Sequence, residues 1–117
     1  MRLPPAVRLA SLVVALALIA NLFISAARPE VAGLFPEPLD KVAHLSYFLL
    51  LAVLMTIADA GQRPVLVAVA LMAVGVADEW HQAYVPGRDS SVADVVADCI
   101  GIAIGVITTR RFLPARA

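Results

Sequence analysis

Most of the side chains that could perform acid–base chemistry or bind a ligand lie in one stretch, residues 78–98. A histidine beside a carboxylate can act as a general base while the carboxylate orients the ring. The stretch therefore offers His81, with Glu79 or Asp78, as candidate catalytic groups. No serine or cysteine nucleophile motif accompanies them, so the sequence leaves open whether the chain is an enzyme.

The polar residues of this stretch, with two residues earlier in the chain, form the predicted binding site. An ionisable group within a membrane span costs about 2.5–3.5 kcal/mol on insertion scales, so it usually faces the bundle interior and pairs with another polar group. The predicted binding residues are Lys41, His44, Asp78, Glu79, His81, Gln82, Arg88, Asp94 and Asp98. The alternative is a structural network of hydrogen bonds that holds the helices together.

A metal site is a separate hypothesis. His44, Glu79, His81 and Asp98 supply nitrogen and oxygen ligands of the kind that zinc accepts. The chain contains no H-E-x-x-H or comparably dense motif. The sequence therefore predicts neither a bound metal nor another cofactor. The single cysteine, Cys99, excludes an internal disulfide.

The rest of the chain is largely apolar and predicts a membrane protein. Hydrophobic residues make up 62% of the 117 residues and charged residues 15%, with a mean hydropathy of +0.90. A soluble domain is nearer half apolar and a quarter charged. The formal net charge is zero, which gives no indication of a nucleic-acid partner. The expected surroundings are the lipid bilayer, and the sequence identifies no protein partner.

Four apolar blocks predict the fold. Each is long enough to cross a hydrocarbon core of about 30 Å at about 1.5 Å per helical residue. We expect an all-α membrane protein, residues 1–117 forming one domain, a bundle of four transmembrane helices. The predicted spans are about 9–27, 41–60, 64–84 and 92–109. The first could be a cleaved signal peptide, but its apolar run exceeds the roughly 7–15 residues of a signal core, so we expect a retained helix.

Local patterns predict how these helices begin, end and pack. Asp40 is a plausible N-cap of the second helix, and Gly61 a plausible stop. Ser91-x-x-Asp94 fits a capping box at the start of the fourth helix. The spacing of Gly101 and Gly105 would let a neighbouring backbone come close.

Basic residues predict the orientation of the bundle. Four spans bring both chain ends to one side of the membrane, and the side richer in arginine and lysine is usually cytoplasmic. Arg2, Arg8, Arg63, Arg110, Arg111 and Arg116 fall on the side of the chain ends, and Arg28, Lys41 and Arg88 on the other. We therefore expect cytoplasmic N- and C-termini. The predicted site then lies near the outer surface.

The polar residues also carry a resemblance to the VanZ-like family, over about residues 40–105. Three motifs carry the resemblance: Asp40-Lys41-x-x-His44-x-x-Tyr47, Asp78-Glu79-x-His81-Gln82-x-Tyr84-x-Pro86-Gly87-Arg88 and Asp94-x-x-x-Asp98-x-x-Gly101. The second is the most specific. The family usually has asparagine where this chain has Asp98. The family is known for small multi-span membrane proteins, and one founding member is associated with low-level resistance to the glycopeptide teicoplanin. The resemblance implies an envelope-facing role in the cell membrane (the cytoplasmic membrane in a bacterium), not a defined reaction.

Three functions follow as hypotheses. The first is an outward-facing pocket for a cell-envelope component, such as a lipid-linked or peptidoglycan-type headgroup, with Lys41 and Arg88 attracting an anionic group at its rim. The second is an intramembrane enzyme that acts on such a lipid through His81 and a carboxylate. The third is a structural or partner-binding membrane subunit.

Overall fold

A computed structural model describes residues 2–26, 38–84 and 91–114. Within them lie four α-helices, α1 Pro5–Ala26, α2 Leu39–Asp59, α3 Pro64–Gln82 and α4 Val92–Phe112, and no β-strand. All four helices are long and apolar enough to cross a membrane. The predicted all-α fold with four membrane-spanning helices is confirmed.

The ends of α2 follow from local backbone chemistry. The predicted N-cap role of Asp40 is wrong, because the carbonyl of Pro38 accepts the first helical hydrogen bond, from Lys41 N–H at 3.1 Å, and Asp40 already lies in the first turn. At the other end, Ala60 and Gly61 both have positive φ angles, 57° and 69°. Gly61 N–H donates to Thr56 O at 3.0 Å, which closes the helix as a glycine C-terminal motif should.

The starts of α3 and α4 also match their sequences. Pro64 is the first residue of α3, a position that needs no N–H donor. At the start of α4, the Ser91 Oγ accepts a hydrogen bond from Asp94 N–H at 3.2 Å. The Ser91 half of the predicted capping box is therefore confirmed. The Asp94 half is not formed, because Ser91 N–H donates to Glu79 and the Asp94 carboxylate pairs with Lys41.

Helices α2 and α4 pack most closely, and glycine makes this possible. A Cβ added at Gly101 would overlap the backbone oxygen of Leu45, and one at Gly105 would lie 2.6 Å from the Cβ of Ala52. Real Cβ atoms do not approach other atoms so closely. The predicted close approach of a neighbouring backbone is confirmed, and Phe48 is fully buried in the core beside this contact.

Helix α1 packs on the outside of this pair and is fixed largely through Tyr47 of α2. The Tyr47 hydroxyl donates to the backbone oxygen of Leu18 at 2.6 Å and accepts from Asn21 Nδ2 at 3.3 Å. Most of the other large apolar side chains of α1 are exposed, as expected for a helix that faces lipid.

Arginines gather at one end of the bundle, which we call the basic end. Arg8 Nε donates to Ala58 O at 3.0 Å, and Arg110 Nε donates to Gly61 O at 3.2 Å. Arg63 pairs with Asp59 at 3.0 Å while its side chain stays 68% exposed. The start of α1, the α2–α3 turn and the end of α4 therefore meet at this end. The start of α2, the end of α3 and the start of α4 meet at the opposite end.

Candidate functional site

The opposite end holds nearly all of the predicted site residues, and most of them are buried. We call it the acidic end; its residues are Asp40, Lys41, His44, Asp78, Glu79, Gln82, Asp94 and Asp98. Helix α2 contributes the two cationic or basic groups, and α3 and α4 contribute most of the acids. Asp78 is fully buried, and Asp98 is only 1% exposed. The structure thus brings together side chains that are up to 58 positions apart in sequence, between Asp40 and Asp98.

Lys41 joins α2 to the first turn of α4. Its Nζ lies 2.7 Å from Asp94 Oδ1 and 2.7 Å from Asp40 Oδ2. Asp94 is nearly inaccessible to solvent, so its charge depends on this lysine. Lys41 was expected to attract an anionic group at the rim, but its charge is shared by two carboxylates.

His44 and Asp98 form the second link between α2 and α4. The Nδ1 atom of His44 lies 2.9 Å from Asp98 Oδ1. Such a bond fixes the orientation of the imidazole and leaves Nε2 as its other ring nitrogen. The second oxygen of Asp98 faces α3 at Gly75, where an added Cβ would lie 3.0 Å from it.

Two acids of α3 lie beside this pair. Asp78 Oδ2 accepts a hydrogen bond from Gln82 Nε2 at 2.8 Å, one helical turn away. Glu79 Oε2 accepts from the backbone N–H of Ser91 at 2.9 Å, which ties the end of α3 to the start of α4. Among the described residues, Glu79 Oε1 is buried and has no hydrogen-bond partner.

Three of these side chains converge. One potential ligand atom from each of His44, Asp78 and Glu79 lies within 4.8 Å of the others. The cluster combines one imidazole with two carboxylates on two different helices. Such a group can take a cation, or donate and accept protons with a bound molecule.

His81 is placed differently from these groups. Its ring packs against Phe23 of α1 in an edge-on arrangement, with ring centroids 6.1 Å apart. Within the described part of the chain its Nδ1 is buried without a hydrogen-bond partner. The histidine–carboxylate hydrogen bond found here is that of His44 and Asp98, whereas the predicted catalytic use of His81 stays a prediction. Arg88, Pro86 and Gly87 lie outside the described residues.

An open cleft of about 450 Å³ lies on the outer surface of α3 and α4, with Glu79 in its wall. It is lined by Val76, Glu79, Trp80, Ala83, Tyr84, Ser91, Val92 and Val95. Trp80 and Tyr84 are 70% and 76% exposed. The cleft is therefore mostly apolar, with one acid and two hydroxyls, those of Tyr84 and Ser91, among its lining side chains.

The sequence did not identify two of the groups that shape the site. Gly75 makes room for Asp98; its only sequence signal is its position three residues before Asp78 on one helix face. Ser91 was predicted as a cap, but its backbone N–H also holds Glu79. A backbone donor has no residue-type signature, so no pattern could have indicated this second contact.

A family model described as VanZ/LLP1 matches residues 5–113. The chain belongs to the VanZ/LLP1 family. The match includes α1, whereas the resemblance seen in the sequence rested on about residues 40–105. No curated protein and no solved structure shows a significant match. Family membership together with the four candidate spans describes a multi-pass membrane protein.

Proposed function

We propose that this VanZ/LLP1 family protein binds a component of the cell envelope at its acidic end, which faces outward from the cytoplasmic membrane. The proposal rests on the surroundings of Glu79, whose carboxylate is buried and incompletely hydrogen-bonded beside a cleft. This acid is only 7% exposed, and its Oε1 lacks a hydrogen-bond partner among the described residues. It also lines the open cleft on the surface of the bundle beside α3 and α4. A buried polar atom left without a partner is costly, and a bound molecule would supply one.

The lining of the cleft fits an amphipathic molecule. Val76 and Val95 provide an apolar wall for a lipid tail. Trp80 and Tyr84, exposed at the end of a membrane helix, are typical of the interface between hydrocarbon and headgroups. A headgroup with hydroxyl or amine donors could reach Glu79 from that level. Lipid-linked sugars and peptidoglycan-type precursors carry such donors.

This function accounts for the expected link to teicoplanin without any chemistry on the drug. A protein that holds an envelope component changes how much of that component is accessible outside the membrane. A glycopeptide that acts on the envelope would then find less of its target. The link to teicoplanin itself rests on the family resemblance, and binding of the envelope component at the cleft is the step that would produce it.

An intramembrane enzyme is the second candidate, and the His44–Asp98 hydrogen bond is the observation that favours it. A histidine oriented by a carboxylate can transfer protons to and from a bound lipid headgroup. In this case His44, rather than His81, would be the general base. Turnover of the bound lipid that is lost in His44→Asn, with binding retained, would distinguish an enzyme from a binding protein.

Lipid retention tests the proposed function directly. The protein is extracted in mild detergent, and co-purifying lipids are identified by native mass spectrometry. We expect one envelope lipid per chain in the parent protein, reduced at least tenfold in Glu79→Gln and in Trp80→Ala. Two variants at other places serve as matched controls: Asp59→Asn at the basic end and Leu16→Ala on the exposed face of α1. Equal retention in the parent, Glu79→Gln and Trp80→Ala would contradict binding in the cleft.

A further inference from the structure

We propose that the acidic end also binds a divalent transition-metal ion, through His44 Nε2 and one carboxylate oxygen each of Asp78 and Glu79. This inference goes beyond the function proposed above, because the ion needs no lipid in the cleft. The sequence predicted no metal site, since it contains no dense ligand motif. The structure assembles the ligands from α2 and α3 instead, where no sequence spacing could indicate them.

The distances fit an ion with little rearrangement. Ligand atoms about 2.1 Å from a divalent ion lie roughly 3.4 Å apart at tetrahedral angles and about 4.2 Å apart when they are opposite each other. One potential ligand atom from each of the three residues lies within 4.8 Å of the others. Small side-chain rotations that move the ligand atoms by about 1 Å would therefore bring all three into range of one ion.

Glu79 provides a second observation that points to a bound ligand. Its side chain is more than nine-tenths buried, and one of its oxygens has no hydrogen-bond partner within the described ranges. The other oxygen is held by Ser91 N–H, so the carboxylate is fixed in place. An ion between Glu79, Asp78 and His44 would satisfy the remaining oxygen.

The candidate ligands are themselves oriented by neighbouring polar groups. Asp98 holds His44 through Nδ1, which directs the ring and leaves Nε2 for a metal. Gln82 holds one oxygen of Asp78. Carboxylate–histidine and amide–carboxylate contacts of this kind are common around metal sites, where they orient the ligands.

The local charge also favours a cation. Of the residues that the structure describes at this end, Lys41 is the one fixed cation, and it already pairs with Asp40 and Asp94. Of the acids beside His44, Glu79 is buried with one oxygen that has no hydrogen-bond partner in the described ranges. Buried charges are usually paired or bound to metal ions, so a cation at this oxygen would satisfy Glu79.

The ligand set indicates which ions would bind. Imidazole nitrogen suits zinc, iron and nickel, while carboxylates suit manganese as well. One nitrogen with two oxygens therefore favours Zn²⁺ or Mn²⁺ over Ca²⁺ and Mg²⁺, which prefer sites made of oxygen alone. The remaining coordination positions would be taken by water or by a group of a bound molecule.

Metal titration of the full-length protein tests the site. The protein is purified in detergent without a polyhistidine tag, treated with a chelator and titrated with ZnCl₂ and with MnCl₂. We expect about one ion per chain and a rise in melting temperature on binding, because a ligand that binds only the folded state stabilises it. His44→Asn and Glu79→Gln should each weaken binding at least tenfold. His81→Asn, the same substitution at the other histidine of the chain, is the matched control and should bind like the parent.

A spectroscopic measurement keeps the test decisive if His44→Asn fails to fold. In the His81→Asn variant, His44 is the one histidine left. Pulsed electron paramagnetic resonance of Mn²⁺ bound to that variant should then show coupling to a single imidazole nitrogen. Absence of nitrogen coupling, less than about a tenth of an ion per chain in the parent, or unchanged affinity in a folded His44→Asn protein would each overturn the proposal.

The two proposals can fail independently, although Glu79 takes part in both. His44→Asn removes a metal ligand without touching the lining of the cleft, and Trp80→Ala removes cleft lining without touching the ligands. Metal binding without lipid retention would refute the proposed function and leave the metal site intact. Lipid retention without metal binding would refute the metal site alone.

Discussion

Asp98 on α4 and Gly75 on α3 are complementary in shape: the carboxylate occupies the space that a side chain at Gly75 would need. An added Cβ at Gly75 would lie 3.0 Å from Asp98 Oδ2 and 3.5 Å from its Cβ. Asp98 is held from its other side by His44. It therefore has little freedom to move away, and residue size at position 75 controls the geometry of the histidine–carboxylate pair.

Gly75→Val tests this relationship. The branched side chain must displace Asp98, so we expect the free energy of unfolding to fall by about 1–3 kcal/mol, the usual cost of overpacking. In an Asp98→Ala background the same substitution should cost at least about 1 kcal/mol less, since contacting residues are energetically coupled. Reversible unfolding in mixed detergent micelles measures both values. Additive effects of the two substitutions would show that Gly75 and Asp98 do not interact.

Gly101→Ala tests the contact between α2 and α4. Its new methyl group would meet the backbone of α2 at Leu45, which cannot rotate away as a side chain can. We expect a loss of about 1–3 kcal/mol in the free energy of unfolding, even though alanine is the better helix former. Ala103→Ser on the exposed face of α4 is the control and should change stability by less than about 0.5 kcal/mol. A Gly101→Ala protein as stable as its parent would contradict the close packing.

The buried and exposed ion pairs should differ in their contribution to stability. Lys41→Met leaves Asp94 buried without its cation, so we expect a loss of about 2–4 kcal/mol. Adding Asp94→Asn should recover part of that loss. Arg63→Met breaks the exposed pair with Asp59 at the basic end and should cost at most about 1 kcal/mol. Equal losses for the two single variants would show that the Lys41–Asp94 pair is not protected from solvent.

Thiol labelling tests the orientation in the membrane. In a Cys99→Ala background, Tyr84→Cys places an exposed thiol at the acidic end and Gln62→Cys places one at the basic end. An impermeant maleimide added to intact cells should label only the first. Labelling of only the second would reverse the orientation and place the acidic end in the cytoplasm.

The general arrangement could be predicted from the sequence because the long apolar blocks and the polar residues at their ends indicate the same fold. Long apolar blocks set the number of spans, and antiparallel helices must bring the start of α2, the end of α3 and the start of α4 to one level. That places Lys41, Asp78 and Asp94 together without any knowledge of side-chain contacts. The glycine spacing on α4 likewise indicated a close neighbour.

The details of the site depended on tertiary packing, which the sequence pattern does not contain. His81 and His44 were both candidates, and the rotation of each helix decides which one reaches a carboxylate: His44 lies against Asp98, and His81 against Phe23. Asp40 failed as an N-cap because the carbonyl of Pro38 starts the helix two residues earlier. The convergence of three ligand atoms from α2 and α3 is a property of two helices together, so neither helix reveals it alone.

The separation of the basic end from the acidic end has an electrical consequence. A living bacterial membrane maintains a voltage, negative inside, that is worth up to about 2.3 kcal/mol per 100 mV for a charge carried fully across. In the proposed orientation, Arg8, Arg63 and Arg110 lie inside and the carboxylates outside, so the charges of the protein are aligned with this field. In a bacterium the voltage would then hold the molecule in that orientation, and inversion would become harder as the cell becomes more energised.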